Sequence, residues 1–167
     1  SEPDRGSRFF FELAFLPAGE RRVAEQTWKE APPPLSILLV DDVVISRTVV
    51  AMLLEDMGHR VVQAADGPQA LRLVKEQAFD LILMDLHMPG MDGFQVHERV
   101  RRISATDQPG TIFYALSANA QKETVARCLK VGMNGLLSKP LSIPAFNREM
   151  VTHFGQAEAN QENLAAI

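Results

Sequence analysis

The chain has 167 residues, 46% apolar and 23% charged, with a net charge of −4. That is the size and make-up of one globular domain, and its scattered Lys and Arg exclude a non-specific nucleic-acid binder. No apolar run approaches the ~18 residues of a bilayer span, and the N-terminus SEPDRGSRFF lacks the features of a secretory signal. The single cysteine, Cys128, excludes a disulfide framework or a thiolate zinc site and fits a reducing, cytoplasmic setting.

Residues 1–34 differ in texture from the rest. Arg8 to Leu16 reads RFFFELAFL, a short aromatic strand-like run covered by a first segment, 1–16. Residues 17–34 are charged, carry Trp28, and end in Ala31-Pro32-Pro33-Pro34, which can neither continue a helix nor donate to a sheet. They read as a linker, and the main domain spans 35–156. Ile37–Val40 is a continuous apolar strand, as expected when both faces are buried. Residues 45–57 form a helix ended by Gly58, and Arg60–Ala64 a second strand. Pro68–Gln77 is a helix with proline in its first turn. Leu81–Met84 is the third strand. Gly93–Ile103 is a helix that Asp92 caps. Thr111–Leu116 is the fourth strand, and Gln121–Val131 a helix closed by Gly132. Leu136–Ser138 is the fifth strand. Ser142 caps a last helix with Ile143, Phe146, Met150 and Phe154 on one face. Residues 157–167 read as a polar tail. Five βα units predict a parallel sheet with helices on both faces and right-handed crossovers.

Ligands bind beyond the carboxyl ends of such strands. There the sequence places Asp41 and Asp42 after strand one, Asp85 after strand three, Ser117 after strand four, and Lys139 with Pro140 after strand five. A lone Asp after a strand is usually a turn or cap residue, and a lone Lys is usually solvated. Placement at four of five strand ends is a different matter. Converging carboxylates repel unless a cation joins them. Hard oxygen ligands with open positions suit Mg²⁺. A carboxylate is an established phosphoryl nucleophile, and Asp85, alone on the central strand, is the best candidate. Ser117 and Lys139 supply the fixed donors that phosphoryl transfer needs.

The segments ILLVDD, DLILMDLHMPGMDG, ALSANA and GLLSKP resemble the receiver domain of two-component signalling across about residues 35–155. The resemblance implies a flavodoxin-like, three-layer (βα)5 fold with strand order 2-1-3-4-5. It implies Asp85 as phosphoacceptor and Mg²⁺ (or Mn²⁺) held by Asp42, Asp85 and the His87 backbone carbonyl. Asp41 assists through water. Ser117 is then the switch hydroxyl, Lys139 the phosphoryl-binding lysine, Lys139-Pro140 a cis peptide, and His87 and Asn119 tune hydrolysis of the acyl phosphate. Such a module catalyses only its own phosphorylation and dephosphorylation. One departure stands out: receivers usually carry Tyr or Phe where this chain has Leu136.

Gly6 to Leu13 resembles the final strand of histidine-kinase ATP-binding domains. The chain therefore reads as the C-terminal piece of a hybrid histidine kinase whose parent can be membrane-anchored. Its partners would be a kinase core or a phosphotransfer helical bundle, with no nucleic acid and no membrane contact by this segment. A monomer is expected, with the N-terminal strand free to pair with another copy. The first helix has an apolar arc of roughly 200° against the ~100° a surface helix needs. The surplus, Val50 and Leu54 above all, is either packed on neighbouring elements or the partner face.

Two other classes compete. A haloacid-dehalogenase-type phosphatase also uses an aspartyl nucleophile, a hydroxyl, a lysine and Mg²⁺, but its nucleophile follows the first strand in an Asp-x-Asp pattern, whereas this strand ends Asp41-Asp42-Val43. A non-phosphorylated scaffold receiver typically loses the acceptor or the lysine, and both are present. Neither G-x-G-x-x-G nor G-x-x-x-x-G-K-[ST] occurs, so nucleotide binding has little support. His59, His97 and His153 have no partner carboxylate at a useful spacing, and Cys128 reads as core filler.

Overall fold

The computed structural model describes residues 32–107 and 110–155. Five strands, β1 (Ser36–Val40), β2 (Arg60–Ala64), β3 (Leu81–Asp85), β4 (Ile112–Ser117) and β5 (Gly135–Ser138), alternate with five helices. These are α1 (Val44–Asp56), α2 (Gly67–Glu76), α3 (Gly93–Asp107), α4 (Lys122–Lys130) and α5 (Ile143–Phe154). The proposed strand at Arg8–Leu16, the linker up to Ala31 and the polar tail lie outside the described residues. The strands form one parallel sheet in the order β2-β1-β3-β4-β5.

Alternation along each strand divides the core in two. Leu38, Val40, Ile82, Met84, Phe113 and Ala115 face Ala70 and Val74 of α2, Val96 and Val100 of α3 and Cys128 of α4. Ile37, Leu39, Leu81, Leu83, Tyr114 and Leu116 face Val50, Ala51 and Leu54 of α1 and Phe146 and Met150 of α5. Because β1, β3 and β4 bury both faces, their sequences are continuous apolar runs rather than alternating ones.

Of the two readings of Val50 and Leu54, the partner face is corrected here: they pack on neighbouring elements. Val50 is 6% exposed and Leu54 fully buried, because positions 50, 51 and 54 form the helical stripe that packs on the sheet. The surplus apolar surface of α1 lies beside that stripe. Ile45 is 78% exposed, and Val44, Val49 and Met52 are each at least half exposed.

Capping follows the side chains. Asp66 accepts from the Gln69 amide at the start of α2, Asp92 accepts from the Gln95 amide at the start of α3, and Ser142 accepts from the Ala145 amide at the start of α5. Helix α3 starts directly under the sheet edge. A Cβ at Gly93 would stand 2.5 Å from the Asp85 carbonyl oxygen, so only glycine lets the helix approach that strand end.

Candidate functional site

The parallel register brings the ends of β1, β3, β4 and β5 to one edge. Val40 pairs with Met84, Asp85 with Leu116, and Ser117 with Ser138. Asp41 and Asp42 leave β1 there, Asp85 and Ser117 close β3 and β4, and Lys139 follows β5. One carboxylate oxygen from each of Asp41, Asp42 and Asp85 lies within 4.8 Å of the other two. Asp41 and Ser117 are fully buried, Asp85 is nearly so, and Asp42 is half-buried.

The Lys139 ammonium joins the carboxylates. Its Nζ is 2.6 Å from Asp41 Oδ2 and 2.6 Å from Asp85 Oδ2. Burial alone would depress the lysine pKa. The hydrogen bonds and negative charge of Asp41 and Asp85 outweigh that, so the net shift is upward and the ammonium stays charged. The Lys139-Pro140 peptide is cis, and the Lys139 amide donates to the Ser117 carbonyl at 2.9 Å.

Backbone donors fix the carboxylates on their other side. Asp41 Oδ1 accepts from the Val43 amide at 2.8 Å, and Asp85 Oδ1 accepts from the His87 amide at 2.9 Å. The second bond turns the β3–α3 loop around the Asp85 carboxylate and leaves the His87 side chain exposed. Ser117 Oγ accepts from the Asn119 amide at 3.1 Å, and the exposed Asn119 side chain in turn meets Gln121. Leu136, on β5 opposite Ala115, is half-buried and packs on the α2–α3–α4 side of the core.

Two neighbours of the site escaped the sequence reading. Ser46 Oγ donates to Asp41 Oδ2 at 2.7 Å, and the Arg47 guanidinium donates to the Asp41 carbonyl. The only signal was their position one helical turn beyond Asp41 and Asp42. A separate polar cluster lies away from the site. There the Tyr114 hydroxyl donates to Glu149 at 2.8 Å and sits 3.0 Å from His153 Nε2. Burial, then the Glu149 carboxylate, push the tyrosine pKa upward.

The donor set fits a hard divalent cation. It consists of carboxylate oxygens with open positions between them, at a sheet edge, with no competing sulfur or imidazole ligand atom in the cluster. An ammonium held between two of the carboxylates marks where positive charge is favoured.

A family model described as the response regulator receiver domain matches residues 37–150. The chain belongs to the receiver domain family. Sensor histidine kinase AruS of Pseudomonas aeruginosa is 36% identical over 156 residues, which is 90% of this chain and 15% of that protein. Sensor protein GacS of Pseudomonas syringae pv. syringae is 42% identical over 116 residues, 66% of this chain and 13% of that protein. The receiver thus spans a small part of the curated relatives it matches. Among solved structures, the receiver domain of sensor histidine kinase PA1611 from Pseudomonas aeruginosa, with magnesium coordinated in its active site cleft, superposes with a TM-score of 0.63 at 34% identity. It covers 73% of this chain and 98% of that one. The receiver domain of histidine kinase CKI1 from Arabidopsis thaliana, complexed with Mg²⁺ and BeF₃⁻, gives a TM-score of 0.63 at 32% identity, over 71% of this chain and 90% of that one. The family match removes the haloacid-dehalogenase reading.

Proposed function

We propose that this receiver takes a phosphoryl group from a phospho-histidine onto Asp85, in a divalent-cation-dependent phosphorelay within a hybrid sensor histidine kinase. The observation that carries the reading is the Lys139 bridge between Asp41 and Asp85, set beside the three clustered carboxylates. It supports reading Asp85 as nucleophile, Lys139 as charge-neutralising donor and the carboxylates as a cation site, all at one sheet edge.

In the reaction the P–N bond of the donor imidazole breaks and a P–O bond forms to Asp85, with the leaving imidazole taking up a proton. Asp85 Oδ1 is already bonded to the His87 amide. Oδ2 is the oxygen bonded to Lys139, and it becomes free to attack as the ammonium shifts to a phosphoryl oxygen. Ser117 Oγ accepts from Asn119 and keeps its own hydrogen to donate to a second phosphoryl oxygen. Asp42, Asp85 and the His87 carbonyl would hold Mg²⁺, with Mn²⁺ as a substitute and Asp41 acting through water. The cation supplies charge neutralisation for the transferring phosphoryl group. Exposed His87 and Asn119 flank the site, where they would tune hydrolysis of the acyl phosphate.

The donor would dock on α1. Its exposed residues Val44, Ile45 and Val49 adjoin an apolar recess of about 230 Å³ whose wall includes Leu53, Lys139, Pro140 and Leu141. An apolar face beside the acceptor suits a helical phosphotransfer bundle or the kinase core. Residues 1–16 and 17–34 would be the last strand of the kinase's ATP-binding domain and its linker. Among the described residues no helix is long and apolar enough to cross a membrane.

The test is a Mg²⁺ titration followed by beryllofluoride, read by amide shifts. The reading expects Mg²⁺ shifts at residues 41–43 and 85–87 that Asp42→Asn weakens, and beryllofluoride shifts that Asp85→Asn abolishes. Undisturbed amides at all three aspartates would overturn it.

A further inference from the structure

Asp41 is the most heavily bonded carboxylate of the site. Oδ1 accepts from Val43, while Oδ2 takes two donors, Ser46 Oγ at 2.7 Å and Lys139 Nζ at 2.6 Å. Ser46 lies in the first turn of α1, a helix whose N-cap residue Val43 makes no side-chain capping bond. The Ser46 hydroxyl gives its hydrogen to Asp41. The Arg47 bond to the Asp41 carbonyl ties the same turn to the same residue.

We infer that Ser46 is a positioning residue for divalent-cation binding: its hydroxyl keeps the Asp41 carboxylate in place when Lys139 is no longer available to hold it. This rests on the reading of the acidic cluster as a Mg²⁺ site. The two donors on Oδ2 differ in charge. Lys139 is positive, is shared with Asp85, and is repelled by a divalent cation among the same carboxylates. Ser46 is neutral and feels no such repulsion. In the free protein the two donors are redundant. In the cation-bound or phosphorylated protein Ser46 is the side-chain donor that remains. Asp41 would act on the cation through water, which makes it an outer-shell group whose place Ser46 sets, and loss of outer-shell groups typically costs about 10–100-fold in metal affinity.

The experiment compares the full 167-residue chain with Ser46→Ala and Ser46→Thr by Mg²⁺ titration and by thermal melts without Mg²⁺. Ser46→Ala is expected to raise the Mg²⁺ Kd about tenfold or more, and to leave the melting temperature in the absence of Mg²⁺ unchanged, because Lys139 still holds Asp41. Ser46→Thr keeps the hydroxyl and is expected to restore binding. An unchanged Kd in Ser46→Ala overturns the inference. So does a loss that Ser46→Thr fails to restore, or one that tracks a lowered melting temperature, since either marks helix packing. Asp42→Asn separates the two levels. If it binds Mg²⁺ as the native chain does, the metal-site reading itself has failed.

Discussion

The Lys139 ammonium stands 2.6 Å from Asp85 Oδ2 while also bonding Asp41, so one lysine from the end of β5 neutralises carboxylates from the ends of β1 and β3. This contact spans the centre of the sheet and ties three strand ends together.

Replacing Lys139 with Met removes that neutralisation and leaves two buried carboxylates facing each other. The loss at pH 7 is expected to be about 2 kcal/mol, the scale of a hydrogen bond to a charged group. Urea melts at pH 7 should show this loss, and Mg²⁺, by neutralising the same carboxylates, should restore part of it. A variant as stable as the native chain at pH 7 would contradict this.

The buried His97 sets an acid limit on stability. Burial, then the Arg101 guanidinium, lower its pKa to about 4, against a weaker upward pull from the Gly132 carbonyl. Burial also lowers the pKa of His59. A lowered folded-state pKa means that the unfolded chain takes up the proton first. The stabilisation from a neutral His97 is thus complete above about pH 6.5 and lost as the pH falls toward 4, at up to about 1.4 kcal/mol per pH unit. His97→Gln should reduce the difference in unfolding free energy between pH 7 and pH 5. An unaltered difference would show that this imidazole is not responsible.

Much of this was legible beforehand because the sheet is parallel and buried on both faces. Ile37–Val40 and Leu81–Met84 could be little else than central strands, and reading past each strand end led to Asp41, Asp42, Asp85, Ser117 and Lys139. What escaped depended on phase or on distant contacts. The wheel of α1 shows too wide an apolar arc but not which part faces the sheet, so it leaves Val50 and Leu54 open between core and partner face, and they are core. Helix α3 runs to Asp107 rather than stopping at Ile103, because Ser104 to Asp107 add no apolar period to follow. Ser46 and the Tyr114–Glu149–His153 cluster are polar contacts with no sequence motif.

The corrected face of α1 gives a paired prediction. Ile45→Glu should leave the melting temperature unchanged, since the side chain is 78% exposed, and should weaken phosphotransfer from a helical phosphotransfer domain at least about tenfold, as expected for an apolar anchor at an interface centre. Leu54→Ala should destabilise the fold by about 2–5 kcal/mol, as for a fully buried leucine, and leave docking by the remaining folded protein intact. The reverse pattern would return the partner face to the buried stripe.

Leu136 stands where the resemblance to receivers leads one to expect Tyr or Phe. A branched aliphatic side chain half-packed on the core has no hydroxyl to trade between solvent and interior. Its contacts should differ little between the free and phosphorylated states, and a ligand shifts an equilibrium only through such differences. Beryllofluoride should therefore perturb amides 121–140 weakly in the native chain and more strongly in Leu136→Tyr. Large native shifts there, unaltered by the substitution, would refute the argument.

The central claim is that Asp85 accepts the phosphoryl group, and the most direct measurement is transfer of radiolabelled phosphate from a phosphorylated histidine donor, with Mg²⁺, onto the native chain and onto Asp85→Asn. The native chain is expected to carry label that base and hydroxylamine release, the mark of an acyl phosphate, and the variant none. Equal labelling of both would contradict it.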